Sequence, residues 1–189
     1  MKVDKKNYKK DYLKFIFALF LCLFVRLIPL RAPNVEPILA TLMPISRVYG
    51  ALLGFIFAIS SILLYDVATG TLGVQTFFTV LAYGTLGLWA NSYFKNNKVN
   101  KWSYVRFAII GTLFFDALTG LTVGPLFFHQ SFMTSLVGQI PFTALHLFSN
   151  VAFAFILSPA IYNFLIKEQE RKIEKKTSLI INELQPKII

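Results

Sequence analysis

FAISSILLYDVATGTLGVQTFF (57–78) and FAIIGTLFFDALTGLTVGPLFF (107–128) copy each other at a spacing of fifty residues. Nine of 22 positions match: the opening Phe-Ala-Ile, Leu63/Leu113, Asp66/Asp116, Thr69/Thr119, Gly70/Gly120 and the closing Phe-Phe pair. Each copy is an apolar run of helix length that ends in Asp-x-x-Thr-Gly and leads into a second apolar run. A carboxylate thus falls at the same point of two hydrophobic helices. A repeat of apolar units built this way is a membrane-protein signature, and it points to a site between the copies.

Outward from the repeat the same character holds. The 189-residue chain is 56% hydrophobic, with 20 Phe. Its mean hydropathy of +0.60 lies far above that of a soluble domain. Leu13–Val25, Ala51–Tyr65, Val74–Ala90, Phe107–Phe115 and Ala144–Phe164 are nearly free of charge. At about 1.5 Å per residue, against a hydrocarbon core of about 30 Å, such runs read as membrane spans. The Lys-rich start enters its apolar run without a small-residue cleavage site, so the first helix is expected to stay attached. Cys22 is the single cysteine; it excludes an intramolecular disulfide and reads as a small packed side chain.

The net charge of +10 is arranged rather than scattered. Lys2, Lys5, Lys6, Lys9, Lys10 and Lys14 lead into the first run, and Lys95, Lys98, Lys101 and Arg106 lie between the middle runs. Lys167, Arg171, Lys172, Lys175, Lys176 and Lys187 follow the last. With Arg47 these are 17 of the 19 basic residues, in segments that alternate with Arg26/Arg31, Asp66 and Asp116. This is the positive-inside pattern, not a nucleic-acid patch, and anionic lipid attraction accounts for the excess.

The pattern predicts an all-α integral membrane protein: a bundle of six transmembrane helices with both termini cytoplasmic. A basic N-terminus (1–11) precedes a transmembrane domain (12–166) and a charged cytoplasmic tail (167–189). The expected spans are 11–28, a short 37–45 returning to a Ser46–Arg47 turn, 48–65, 74–93, 103–120 and 142–166. Pro125–Ile140, broken by Gly124, Pro125, Gly138 and Pro141, reads as an outer lid-like loop with helical turns. Residues 168–183 read as a charged helix, looser after Pro186.

Asp66 and Asp116 then lie at or just inside the outer face. A carboxylate costs about 2.5–3.5 kcal/mol at mid-bilayer, so each reads either as a contact to a polar cavity or as a helix-end residue fixing a Thr-Gly turn. In the turn reading Gly70 and Gly120 end the helices. Thr69, Thr119, His129 and Gln130 belong to this outer rim. Asn34 and Glu36 fall in the first outer loop. Gln75, Thr79 and Tyr83 share one helical face at i, i+4, i+8. Gln139, His146 and Asn150 add polar groups near or in the sixth span, where they read as ligand contacts or as interhelical hydrogen bonds. Few polar groups among many aromatics suit a pocket for a small, flat, polar molecule. Gly50, Gly54 and Ala58 make a small-residue stripe, for a partner helix or for packing within the bundle.

Several chemistries are absent. No G-x-x-x-x-G-K-[ST] occurs, so the chain is not itself a P-loop ATPase. His129 and His146 have no neighbouring ligand-type residues and no HExxH occurs, so no metal site is expected. No nucleophile pairs with a positioned base, so no enzyme activity and no catalytic residues are expected.

RLIPLRAPNVEPILA (26–40), YDVATG (65–70) and QIPFTALHLFSNVAFAFILSPAIY (139–162) resemble the substrate-binding S component of energy-coupling-factor vitamin transporters. The resemblance covers roughly residues 12–166. It implies a subunit of a bacterial or archaeal plasma membrane that binds a vitamin or cofactor precursor from outside. Its partners would be a transmembrane coupling subunit and two cytoplasmic ATPases. Carried onto this chain, the pocket would draw on Gln75, Thr79, Tyr83, Asp116, Gln139, His146 and Asn150, with Asn34 and Glu36 as a gate. The coupling subunit would dock on the nearest match to an Ala-xxx-Ala pair, Ala18-xxx-Cys22. The Met-Lys-Val-Asp start lacks the Met-His of the metal-transporting members, which implies no metal cargo. The competing reading is a structural scaffold of the cell-shape type, without a ligand.

Overall fold

The protein is described by a computed structural model covering residues 5–29 and 34–184, with side chains for 12–29 and 34–166. Six helices account for nearly all of it: α1 (Lys5–Leu27), α2 (Ile38–Tyr49), α3 (Ala51–Thr69), α4 (Val74–Asn96), α5 (Lys101–Phe127) and α6 (Phe132–Leu184). No strand occurs among the described residues. Three segments are long and apolar enough to cross a membrane, namely α3, α5 and Phe132–Ile166 of α6.

The bundle exposes large apolar side chains and buries polar ones alongside its hydrophobic core. Phe20, Phe24, Leu52, Phe148 and Ile156 are exposed, whereas Arg26, Asp66, Asn91, Thr112, Asp116, His146 and Asn150 are buried. A soluble protein of this composition would place these groups the other way round. In lipid, polar side chains turn inward to find partners while Phe and Leu face the acyl chains.

The short α2 is the axis around which the others pack. Every residue from Ile38 to Ser46 is buried, and the helix touches all five others. Its 12 residues reach only about 18 Å, too short to span on its own. The expected turn at Ser46–Arg47 is instead its last helical turn. The chain reverses at Gly50, whose φ of 95° a side chain would strain. Pro44 lies inside α2 and lacks an N–H, which frees the carbonyl of Ala40 one turn back. Ser158 of α6 donates to that carbonyl at 2.7 Å. Replacing Ser158 with Ala is therefore expected to cost about 1–3 kcal/mol, read as a lower melting temperature in detergent.

The small-residue stripe is used inside the bundle. A Cβ on Gly87 would stand 2.8 Å from the Gly54 backbone, so α3 and α4 cross in direct backbone contact there. Ala18 and Cys22 are also buried, at 6% and 1% exposure. These four positions (Ala18, Cys22, Gly50 and Gly54) are thus internal packing or turn residues, not an open face for a partner helix.

The outer loop expected over Pro125–Ile140 is not a loop. α5 continues through Gly120 to Phe127 and α6 starts at Phe132, leaving a four-residue connection. α6 then runs unbroken to Leu184 through Pro141 and Pro159, so neither the 166/167 boundary nor the 11/12 boundary interrupts a helix. The looser end after Pro186, and Arg31, lie outside the described residues.

Candidate functional site

The two Asp-x-x-Thr-Gly copies fold differently, and that difference builds the site. In the first, Gly70 takes a left-handed conformation (φ 68°) and caps α3, and Thr71 N–H donates to the Asp66 carbonyl at 2.9 Å. The Asp66 carboxylate accepts from the Thr76 hydroxyl at 2.6 Å, tying the end of α3 to the start of α4. The Thr69 hydroxyl donates to the Tyr65 carbonyl. Asp66 and Thr69 are turn residues.

In the second copy nothing stops the helix. Gly120 is helical, and a Cβ there would fall 1.9 Å from Oε1 of Gln139, so the missing side chain lets Gln139 lie against α5. Asp116 is held across the α5–α6 contact, with its Oδ1 2.7 Å from His146 Nδ1. One turn away on each helix, Asn150 Nδ2 donates to the Thr112 hydroxyl at 2.8 Å. Two i, i+4 pairs, Thr112/Asp116 and His146/Asn150, therefore face each other. Phe115 and Phe142 set their rings edge-on to His146, at 5.4 and 5.9 Å.

Several buried polar atoms in this cluster lack a hydrogen-bond partner: Asp116 Oδ2, His146 Nε2, Asn150 Oδ1 and, next to Asn150, Ser149 Oγ. Such atoms are costly in an apolar interior, and four of them are concentrated at one helix contact. A groove of about 380 Å³ opens beside them, lined by Asp116, Gln139 and Thr143 among leucines and isoleucine. That size falls within the range of about 300–1,000 Å³ typical of small-molecule sites.

A second buried cluster adjoins the first through the tilted ring pair of Tyr83 and Phe115, with centroids 4.5 Å apart. Arg26, at the end of α1, sets its Nε 3.1 Å from Glu36 Oε2, close enough for an ion pair though not aligned as a hydrogen bond. Arg26 also donates to the Ser61 carbonyl at 2.8 Å and lies 3.9 Å over the Tyr65 ring. Tyr83 donates to Glu36 at 2.7 Å. Glu36 is thus the clasp that holds the α1–α2 connection down onto α4. Asn34 adds a hydrogen bond to the Phe142 carbonyl at 3.2 Å, so this connection is tied to α6 as well.

The structure divides the sequence-derived residues accordingly. Tyr83, Asp116, His146, Asn150 and Glu36 gather in the two buried clusters, Gln139 lines the groove, and Asn34 bridges. Gln75 and Thr79 do not join them. Gln75 is exposed and bonds the Thr71 carbonyl, and the Thr79 hydroxyl bonds back to the Gln75 carbonyl in its own helix. The Thr119 hydroxyl likewise returns to Phe115. His129 is exposed with φ 52° in the α5–α6 connection, and Gln130 accepts from Ser135. Sequence reasoning missed Arg26, Thr112 and Ser149. The signal for Thr112 was present, since it lies four residues before Asp116 as Asn150 lies four after His146.

Among the described residues no group of three or more His, Cys, Asp or Glu could hold a metal ion. No protein-family model, curated protein or solved structure matches the chain.

Proposed function

We propose that the protein is the substrate-capture subunit of an energy-coupling-factor-type importer, binding a small vitamin or cofactor precursor at the outer membrane face. In this reading all six helices form the membrane domain, with α2 buried at its centre. Both termini lie in the cytoplasm of a bacterium or archaeon, and a separate coupling subunit with two ATPases completes the importer. The observation that carries the proposal is the set of unpartnered polar atoms on Asp116, His146, Ser149 and Asn150 beside a ligand-sized groove. Polar groups of this cost inside a membrane bundle are retained for function more often than for packing. The scaffold alternative draws less support, because the small-residue stripe it would use for docking is consumed by the α3–α4 crossing.

Mass spectrometry of small molecules released from detergent-purified protein tests this directly, together with identification of co-purifying subunits. A stoichiometric bound precursor, or ATPase and coupling subunits on the purified chain, supports capture. An empty protein that brings down cell-shape or division proteins instead transfers the assignment to the scaffold.

A further inference from the structure

Two of the unpartnered atoms at the α5–α6 contact are oxygens that only accept. A carboxylate only accepts, so the proton in the Asp116–His146 hydrogen bond sits on Nδ1. Asp116 Oδ2 and Asn150 Oδ1 are two buried acceptors without donors, and His146 Nε2 beside them is also without a partner. Ser149 Oγ can act either way.

Among the described residues, no cation lines the groove. Arg26, the buried guanidinium of the neighbouring cluster, is held by Glu36, the Ser61 carbonyl and the Tyr65 ring. Asp66 is bound by the Thr76 hydroxyl, which leaves Asp116 as the carboxylate with a free oxygen at the groove. The walls on either side are hydrocarbon, including Leu113, Leu136 and Leu147. Apolar walls with the Asp116 carboxylate at one edge complement a molecule with apolar faces and N–H groups on its rim.

We infer that the groove between α5 and the first half of α6 takes a neutral or cationic nitrogen heterocycle that presents ring or exocyclic N–H donors to Asp116, and excludes anionic rings. This rests on the substrate-capture reading and narrows it to a ligand class.

Adenine and cytosine serve as amino-bearing probes, with benzoate and nicotinate as anionic rings of similar size. Each is tested against the full-length purified protein by thermal shift and equilibrium dialysis. The amino-bearing rings are expected to bind and raise the melting temperature; the carboxylates are not. Asp116→Asn should weaken amino-ring binding about 10- to 100-fold, the loss typical of one hydrogen bond to a charged group. Gly120→Ala supplies a variant that leaves the Asp116–His146 pair in place. Its Cβ would displace the Gln139 carboxamide at the groove, and the same rings should bind less tightly.

Preferential binding of benzoate or nicotinate would overturn the ligand class, as would unchanged affinity in both variants. Absence of binding by every probe would overturn it too, and is the result expected if water alone satisfies the acceptors. Coupling and ATPase subunits in that same preparation would leave the importer reading standing, so the two failures are distinguishable.

Discussion

His146→Leu is expected to destabilise the protein by about 3–5 kcal/mol, the cost of leaving a buried carboxylate without its partner. Asp116 is 2% exposed and the imidazole is its one hydrogen-bonded side chain. The double variant Asp116→Leu/His146→Leu should recover most of that loss, since replacing both members of a buried hydrogen-bonded pair by apolar groups can be nearly neutral or stabilising. Melting curves of the two single variants and the double in detergent make the measurement. Recovery in the double, combined with loss of ligand uptake in cells, would show that the pair is kept for binding and not for holding α5 to α6. A double variant as unstable as His146→Leu would place the pair in the structural framework instead.

Glu36→Leu carries the second large effect, about 3 kcal/mol or more. It strands the Arg26 guanidinium, 7% exposed, and removes the acceptor of the Tyr83 hydroxyl at the same time. Tyr83→Phe removes a single hydrogen bond from the same cluster and should cost only about 1 kcal/mol. The ratio is the test. Comparable losses in the two variants would mean that Arg26 is sustained by the Ser61 carbonyl and the Tyr65 ring, with Glu36 contributing little. A much larger loss for Glu36→Leu identifies the carboxylate as the fastener of the α1–α2 connection.

Helical content and the inward turn of the polar residues were legible because they follow from composition and period alone. Long apolar runs have few alternatives in lipid, and Asp116, His146 and Asn150 are too polar to face acyl chains. The termination of α5 was misjudged because Asp-x-x-Thr-Gly is ambiguous out of context. After Gly70 the chain has Thr71, Leu72 and Gly73, and it turns; after Gly120 it has Leu121, Thr122 and Val123, and it continues. In the second case the continuing helix packs Gly120 against Gln139, a contact nineteen residues away that no local pattern encodes. Gln75 and Thr79 failed for a related reason. Helical spacing puts them on the face of Tyr83, but toward the α4 N-terminus that face emerges from the bundle and their side chains bond locally. The Arg26–Glu36 clasp was hidden by treating both residues as loop charges, although an Arg within the last turn of an apolar helix is costly enough to demand a partner.

The divergence of the two repeats bears on stoichiometry. A chain that carries the same motif twice invites the expectation of two equivalent binding events. Here each oxygen of the Asp66 carboxylate has a threonine hydroxyl partner and the residue closes a turn, whereas the Asp116 carboxylate retains an unpartnered oxygen beside a groove. A titration should therefore saturate at one equivalent per chain. The duplicated peptide has yielded one closed turn and one carboxylate with an unpartnered oxygen, so the pseudo-symmetry of the sequence is not a symmetry of the fold.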